Sequence, residues 1–155
     1  MKLKLVAVGT RLDDWINAGF NEYARRLPRE MALELIEVTA SQRRGENVAK
    51  LKADEGTRLL AKVSPRDHVV ALDVKGRQLG TEQLSQRLED WRMTGGDVVF
   101  LVGGADGLDD ACLDRADEKL SLSVLTFPHG LVRVIVAEQL YRAWTLLSGH
   151  PYHRA

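Results

Sequence analysis

The stretch Val98-Val99-Phe100-Leu101-Val102-Gly103-Gly104-Ala105-Asp106-Gly107 decides the fold. A run of apolar residues passes directly into a glycine-rich turn. A strand without polar alternation is typical of a parallel sheet that is covered on both faces. Because ligands of such sheets bind beyond the carboxyl ends of the strands, the turn that follows this strand is a candidate site.

Strands and helices alternate along the rest of the chain. Strands are predicted from Leu3 to about Gly9, over Leu33–Val38, within Asp67–Val74, over Val98–Val102 and over Leu120–Phe127. Helices are predicted from Asp13 or Asp14 to Leu27, over Val48–Val63, from Thr81 to Met93, from Asp109 onward and over Leu131–Leu147, and a charged loop is predicted at Gln42–Asn47. The alternation predicts one α/β domain over residues 1–155, with a largely parallel sheet flanked by helices. Trp15 and Trp91 are expected to anchor the core, and Cys112 to be a small buried hydrophobe.

Composition limits the possible functions. The chain has 22 Lys and Arg against 22 Asp and Glu, so a protein that binds polyanions through global charge is excluded. The charge is uneven, because the segment from Ser121 to the end carries three Arg and three His against a single acid, Glu138. A single cysteine and the absence of any apolar run near the length of a membrane helix predict a reduced, cytoplasmic protein without a membrane span or a cysteine-based metal site.

The turn Gly103–Gly107 does not fit the known phosphate-binding loops. Its glycine spacing is not GxGxxG, and no Gly-Lys-Ser/Thr follows it. Asp106, Asp109 and Asp110 would repel phosphate, so a ligand with a cationic reactive end, such as a sulfonium, fits better. The spacing is equally consistent with a tight turn that needs the conformational freedom of glycine.

Two further segments combine residues that can do chemistry. In Leu125–Gly130, Pro128 and Gly130 constrain the backbone, and His129 falls near a helix start as either a catalytic or a capping residue. The tail from His150 to Arg154 concentrates two histidines, a tyrosine and an arginine, which can stack on bases and contact phosphates. A tail that is simply packed on the surface is the alternative.

The chain resembles the bacterial methyltransferases that modify a pseudouridine of 23S ribosomal RNA (RlmH type), a family of the SPOUT, or trefoil-knotted, class. The resemblance covers essentially the whole chain. It is carried by LKLVAVGT near the start, LELIEV, ALDxxG at 71–76, FLVGGADG at 100–107, SLSVLTFPHGLVRV at 121–134, AEQLYRAW at 137–144 and the terminal HPYHRA.

This resemblance implies a deep trefoil knot in a cofactor-binding part spanning about residues 71–155. It implies S-adenosylmethionine as the cofactor and no metal, with the cofactor held by Leu72, Gly103 and the run Leu122, Ser123, Val124, Leu125, Thr126 and Phe127. It also implies a homodimer with the long C-terminal helix in the interface and the partner's tail near the cofactor. The implied reaction is methyl transfer to ring nitrogen 3 of a pseudouridine, in the subunit-interface stem-loop of 23S rRNA on assembled ribosomes.

An imide nitrogen must lose its proton before it can attack a methyl group, so a general base is expected. The candidate catalytic residues are His129, Tyr152, His153 and Arg154, and the candidate RNA contacts are Arg133 and Arg142. Two alternatives stay open: a SPOUT methyltransferase acting on another rRNA or tRNA site, and a non-enzymatic ribosome-binding module that uses the same tail.

Overall fold

Five parallel strands form one sheet in the computed structural model, which describes residues 1–41 and 47–152. The strands are β1 (Leu3–Val8), β2 (Leu33–Val38), β3 (His68–Gln78), β4 (Val98–Val102) and β5 (Glu118–Ser121). Their order across the sheet is β2-β1-β4-β3-β5, and all neighbours are parallel. β4 lies in the centre between β1 and β3, which explains why its sequence is apolar without interruption.

Helices cover both faces of this sheet. They are α1 (Asp14–Ala24), α2 (Val48–Leu60), α3 (Thr81–Thr94), α4 (Asp110–Arg115) and α5 (His129–Ser148), with a 3-10 turn at Arg29–Met31. Alternate residues of each strand face opposite sides, so β1 directs Leu5 to a core shared with α1, α3 and α5. It directs Val6 to a second core shared with α2 and α4. The predicted α/β fold with a parallel sheet is confirmed.

Helix α5 is the longest element and the one closest to the candidate site. It begins two residues before the predicted start and ends one residue after the predicted end, at Ser148. Gly149, which was expected to terminate it, caps the helix with a left-handed φ of 72°. Apolar side chains lie along most of its surface, so that it packs on the sheet and also against α1 and α3. No helix in the described ranges is long and apolar enough to cross a membrane.

The two tryptophans singled out in the sequence behave differently. Trp91 is buried in the core, as predicted. Trp15 is 59% exposed, so its prediction as a core anchor is wrong. Helix α1 turns Ile16 and Phe20 inward instead, and these two side chains complete its buried face.

The segment after β5 is the largest departure from the predicted elements. The predicted strand Leu120–Phe127 is wrong in extent, because β5 ends at Ser121 and residues 122–128 form an irregular loop. The Ser121 hydroxyl donates to the carbonyl of Ser123 (3.0 Å), and the Ser123 hydroxyl accepts from the Leu125 amide (2.9 Å). Such side-chain to backbone bonds compete with the strand ladder and turn the chain.

The predicted charged loop at Gln42–Asn47 lies outside the described residues, except for its last member. Asn47 begins α2 as its N-cap, where its side-chain oxygen accepts from the Lys50 amide at 2.8 Å. This bond satisfies one of the free amides at the helix start.

Candidate cofactor-binding and catalytic site

A cavity of about 300 Å³ lies at the carboxyl ends of β4 and β5, beside the bulged middle of β3. Three segments line it: the middle of β3, the glycine loop after β4, and the loop after β5 that leads into α5. From the predicted set the structure brings together Leu72, Gly103, Leu122, Ser123, Leu125, Thr126, Phe127 and His129. Val124 is not among the lining residues, and its side chain is 76% exposed.

The glycine loop is closed by its own backbone. The Gly107 amide donates to the Gly104 carbonyl at 3.1 Å, which makes a tight turn. A Cβ on Gly103 would lie 2.4 Å from the carbonyl carbon of Gly107, so no other residue fits at position 103 without moving the turn. The wall of the cavity is therefore main chain here, and a ligand can approach the backbone closely.

A bulge in β3 forms the second wall. The pairing of β3 with β5 shifts register between Leu72 and Arg77, which both lie opposite Leu120. A Cβ on Gly76 would lie 2.7 Å from the backbone of Leu120, so glycine permits the return of β3 to the sheet after the bulge. The bulge places Asp73 and Val74 in the cavity lining.

The acidic character of the site differs from the expectation. Neither Asp106 nor Asp110 lines the cavity, and both are exposed. Asp109 caps α4 by accepting from the Cys112 amide at 3.1 Å. Within the described ranges Asp73 is the only acidic residue that lines the cavity. Its carboxylate also accepts from the Lys75 amide at 3.2 Å.

His129 is the first residue of α5 and stands at the junction of the loop with the helix. It is half-buried and lines the cavity. Its Nε2 lies 3.7 Å from the position that a Cβ on Gly9 would occupy, so the end of β1 lies directly behind it. Among the predicted catalytic residues, the structure therefore places His129 at the cavity.

Tyr152 lies elsewhere in the same chain. Its ring packs on Tyr141 with centroids 4.6 Å apart, and its hydroxyl donates to Glu138 at 3.1 Å. Burial and the hydrogen bond with Glu138 raise the pKa of Tyr152 to about 12. Since nine helical residues separate His129 from Glu138, about 13 Å of helix axis lies between them. His153 and Arg154 lie outside the described residues.

The two predicted RNA contacts occupy different environments. Arg133 is 0% exposed, and its Nη1 bonds Glu37 at 2.5 Å. A guanidinium that is buried and paired in this way is not available to a phosphate, so the assignment of Arg133 as an RNA contact is wrong. Arg142 remains partly accessible, although its Nε donates to Glu138 at 2.8 Å and its guanidinium lies 5.2 Å from the Tyr152 ring centroid.

The sequence did not single out several residues of the cavity. Asp73 and Val74 lie inside the ALDxxG motif, so the motif could have identified them as site residues. Val132 could not be distinguished in this way, because it is one of many apolar residues in α5. The lining residues that sequence reasoning missed are Asp73, Val74, Val102, Ser121 and Val132. Gly104, Ala105 and Gly107 also line the cavity and belong to the turn that was predicted as a site. No group of His, Cys, Asp and Glu in the described part of the chain could hold a metal ion.

Comparison with known proteins matches the whole chain to one family. The model described as "Predicted SPOUT methyltransferase" matches residues 1–153. The protein named "Ribosomal RNA large subunit methyltransferase H" from Hahella chejuensis is 55% identical over 155 residues, covering 99% of each chain. The protein of the same name from Methylococcus capsulatus is 56% identical over 155 residues, covering 99% of this chain and all of the relative.

The fold of this chain is also similar to that of a solved structure. The Legionella pneumophila protein Lpg2936, in complex with the cofactor S-adenosylmethionine, aligns with a TM-score of 0.50 at 8% sequence identity. The alignment covers 93% of this chain and 66% of that one. At this identity the likeness concerns the α/β architecture alone.

Proposed function

Because the chain belongs to the SPOUT methyltransferase family, we propose that it transfers a methyl group to ring nitrogen 3 of a pseudouridine in 23S ribosomal RNA. We infer that the chain carries the trefoil knot of this class, in a cofactor-binding part that begins at about residue 71. The cofactor is S-adenosylmethionine. Relatives at 55% and 56% identity that carry the name of a large-subunit rRNA methyltransferase support the substrate class. We place the target in the subunit-interface stem-loop of assembled ribosomes.

The cavity between the middle of β3 and the carboxyl ends of β4 and β5 is the observation that carries this proposal. A volume of about 300 Å³ lies at the lower end of the range for small-molecule pockets. Leu72, Gly103 and residues 122–127 would hold S-adenosylmethionine, with backbone groups available to its polar parts. Asp73 supplies a negative charge where a sulfonium cation is expected. The residues present therefore fit the cofactor.

When bound, the cofactor would supply an electrophilic methyl group. The electron pair of the broken carbon–sulfur bond would remain on sulfur, and ring nitrogen 3 would supply the pair for the new bond. The chain must then hold the base in line and accept the imide proton. His129 is the candidate base, since it lines the cavity and a neutral imidazole nitrogen can accept a proton. Tyr152, with a pKa of about 12, is suited to donate a hydrogen bond rather than to remove a proton.

We propose that the tail completes the site across a homodimer. Within one chain, Tyr152 packs on α5 at Glu138 and Tyr141, away from the cavity. A partner whose α5 lies against this α5 could bring its own Tyr152, His153 and Arg154 to the mouth of the cavity. Such an arrangement would also give a neutral chain a local cluster of positive charge for RNA.

The proposal is tested with ribosomes from a strain that lacks this gene. Purified enzyme and methyl-labelled S-adenosylmethionine are incubated with assembled ribosomes, with isolated subunits or with free rRNA, and the RNA is digested to nucleosides for mass spectrometry. We expect label in one 3-methylpseudouridine, and only with assembled ribosomes. Label in another nucleoside, or equal labelling of free rRNA, would contradict the proposed target.

A further inference from the structure

Arg133 of α5 is the one basic side chain that is buried in the part of the chain that the structure describes. The guanidinium of Arg133 donates from Nη1 to Glu37 at 2.5 Å and from Nη2 to the carbonyls of Gly9 at 2.8 Å and Val8 at 3.3 Å. These acceptors lie at the ends of β1 and β2, while Arg133 lies in the second turn of α5. The side chain thus joins the start of the helix to the carboxyl edge of the sheet.

Burial of this cation is costly and is only partly compensated. A guanidinium without water must have each donor satisfied, or the free energy of unfolding falls. The Nε of Arg133 has no hydrogen-bond partner among residues 1–41 and 47–152. An apolar residue would fill the same space without that cost, so stability alone does not account for an arginine here.

The same contacts fix the geometry of the cavity wall. His129 precedes Arg133 by one helical turn, and Val132 is adjacent to it; both line the cavity. Arg133 and His129 both lie next to Gly9, because Nη2 and Nε2 lie 3.3 Å and 3.7 Å from the position that a Cβ on Gly9 would occupy. The loop of residues 122–128 ends where this anchored helix begins.

We propose that Arg133 is a positioning residue for cofactor binding: its bonds to Glu37, Gly9 and Val8 hold the first turn of α5, and with it the loop after β5, in the conformation that binds S-adenosylmethionine. This inference rests on the proposed function, since it takes the cavity as the cofactor site. A site whose walls are held in place before binding loses less entropy when the ligand arrives. Lysine cannot replace arginine here, because only the planar fork reaches several acceptors in different directions.

The test compares Arg133→Lys with a matched change at the opposite edge of the sheet. Arg87 also pairs with a carboxylate, donating to Glu118 at 2.9 Å and 2.6 Å at the amino ends of the strands. Arg87→Lys is therefore the control for loss of a partly buried ion pair far from the cavity. For each full-length variant, Tm, the Kd for S-adenosylmethionine by calorimetry, and the KM and kcat on ribosomes are measured.

We expect Arg133→Lys to raise both the Kd and the KM for S-adenosylmethionine by about tenfold or more, with a smaller change in kcat at saturation. Arg87→Lys should lower Tm and leave the Kd unchanged. Equal cofactor affinity in wild type and Arg133→Lys would overturn the inference, and so would an equal loss in the two variants. If Arg133→Lys does not fold, the same measurement on Glu37→Gln decides. We expect Glu37→Gln to raise the Kd for S-adenosylmethionine, and an unchanged Kd would overturn the inference.

A third variant separates this inference from the proposed site itself. Gly103→Val must abolish S-adenosylmethionine binding if the cavity is the cofactor site, because its side chain collides with the backbone of Gly107. Binding by a folded Gly103→Val protein would remove the site assignment and the inference together. Loss of binding in Gly103→Val with normal binding in Arg133→Lys would remove the inference alone.

Discussion

The hydroxyl of Tyr152 donates a hydrogen bond of 3.1 Å to the carboxylate of Glu138, which also accepts from Arg142. A carboxylate acceptor stabilises the neutral phenol, since a phenolate beside it would place two negative charges together. Within one chain, the last described residue of the tail is thereby held as a hydrogen-bond donor on α5.

Burial of Tyr152 and its hydrogen bond to Glu138 together raise the pKa of the phenol to about 12. Replacing Glu138 with Gln removes only the second cause, so it should lower this pKa part of the way towards the ordinary tyrosine value of 10.0. Titration of phenolate absorbance would detect this change, and Tyr152→Phe identifies the transition that belongs to this residue. The pH–rate profile of Tyr152→Phe should keep the shape of the wild-type profile near neutral pH. Disappearance of a titration step near neutral pH in this variant would instead identify Tyr152 as the base.

Position 103 should tolerate no side chain, unlike position 107 four residues later. Gly103→Ala places a Cβ against the carbonyl of Gly107, whereas a Cβ on Gly107 meets no atom within 4 Å. Gly107→Ala carries only the cost of a left-handed φ of 85°, about 1 kcal/mol. We expect Gly103→Ala to weaken S-adenosylmethionine binding by more than about tenfold, and Gly107→Ala to weaken it much less, both measured by calorimetry. Similar affinities in the two variants would contradict this account of the turn.

The fold was predictable from sequence because its signals are local. The apolar run of β4 and the glycine turn after it both identify a central parallel strand and the edge at which the cavity opens. The prediction of a strand over residues 122–127 is wrong. It arose because leucine and serine alternate in this part of the sequence, and alternation of apolar and polar residues is typical of a strand. The hydroxyls of Ser121 and Ser123 turn this segment through hydrogen bonds to the backbone. The spacing of apolar residues along the chain gives no information about such bonds.

The role of Arg133 could not be read from the sequence for a different reason. An arginine in a helix is normally solvated, and the basic balance of the segment from Ser121 onward suggests RNA. Its partners, Glu37 and Gly9, lie 96 and 124 residues away along the chain. Only the parallel order of the strands brings them together. The two loops that line the cavity were predicted, in contrast, from their places after strands and from the motifs of the family resemblance; their binding of the cofactor stays a prediction.

Glu118 stabilises the amino-terminal edge of the sheet, and this contribution should depend on pH. Burial alone would raise its pKa, but hydrogen bonds from Arg87, His68 and Trp91 outweigh burial and lower the pKa below 4.5. A carboxylate with a lowered pKa stabilises the fold above its unfolded pKa and loses that contribution as the pH falls through the folded value. Glu118→Gln should therefore lower the free energy of unfolding by about 2 kcal/mol near neutral pH.

Urea denaturation over a range of pH checks this expectation. The difference between wild type and Glu118→Gln should narrow as the pH falls below the ordinary value of 4.5. Glu89→Gln is the control, because Glu89 makes only an exposed pair with Arg92 on α3. A difference that stays constant under acid would show that the charge of Glu118 contributes nothing.

Cys112 should be inert to thiol reagents in the folded protein. Its side chain is fully buried, and burial together with a hydrogen bond to Asp109 raises the pKa of the thiol from 9.0 to about 12. The thiolate is the reacting form, so modification should be at least about 100-fold slower than in the urea-unfolded chain. A thiol reagent that releases a chromophore when it reacts allows both rates to be measured by absorbance, with Cys112→Ala as the blank. Fast modification of the native protein would mean that α4 opens readily.

Mixing two inactive variants tests whether the tail acts across the proposed dimer. One variant, Gly103→Val, lacks a cofactor site but keeps its tail; the other lacks residues 151–155 but keeps its cofactor site. If the tail of one subunit completes the cavity of the other, subunit exchange creates a heterodimer with one complete site. Random exchange of equal amounts makes half of the dimers heterodimers, and each heterodimer has one active site of two. About a quarter of the wild-type methylation activity should therefore return. A tail that serves its own chain restores nothing, because neither variant then carries both parts of a site. Wild-type enzyme passed through the same exchange protocol controls for activity lost in handling.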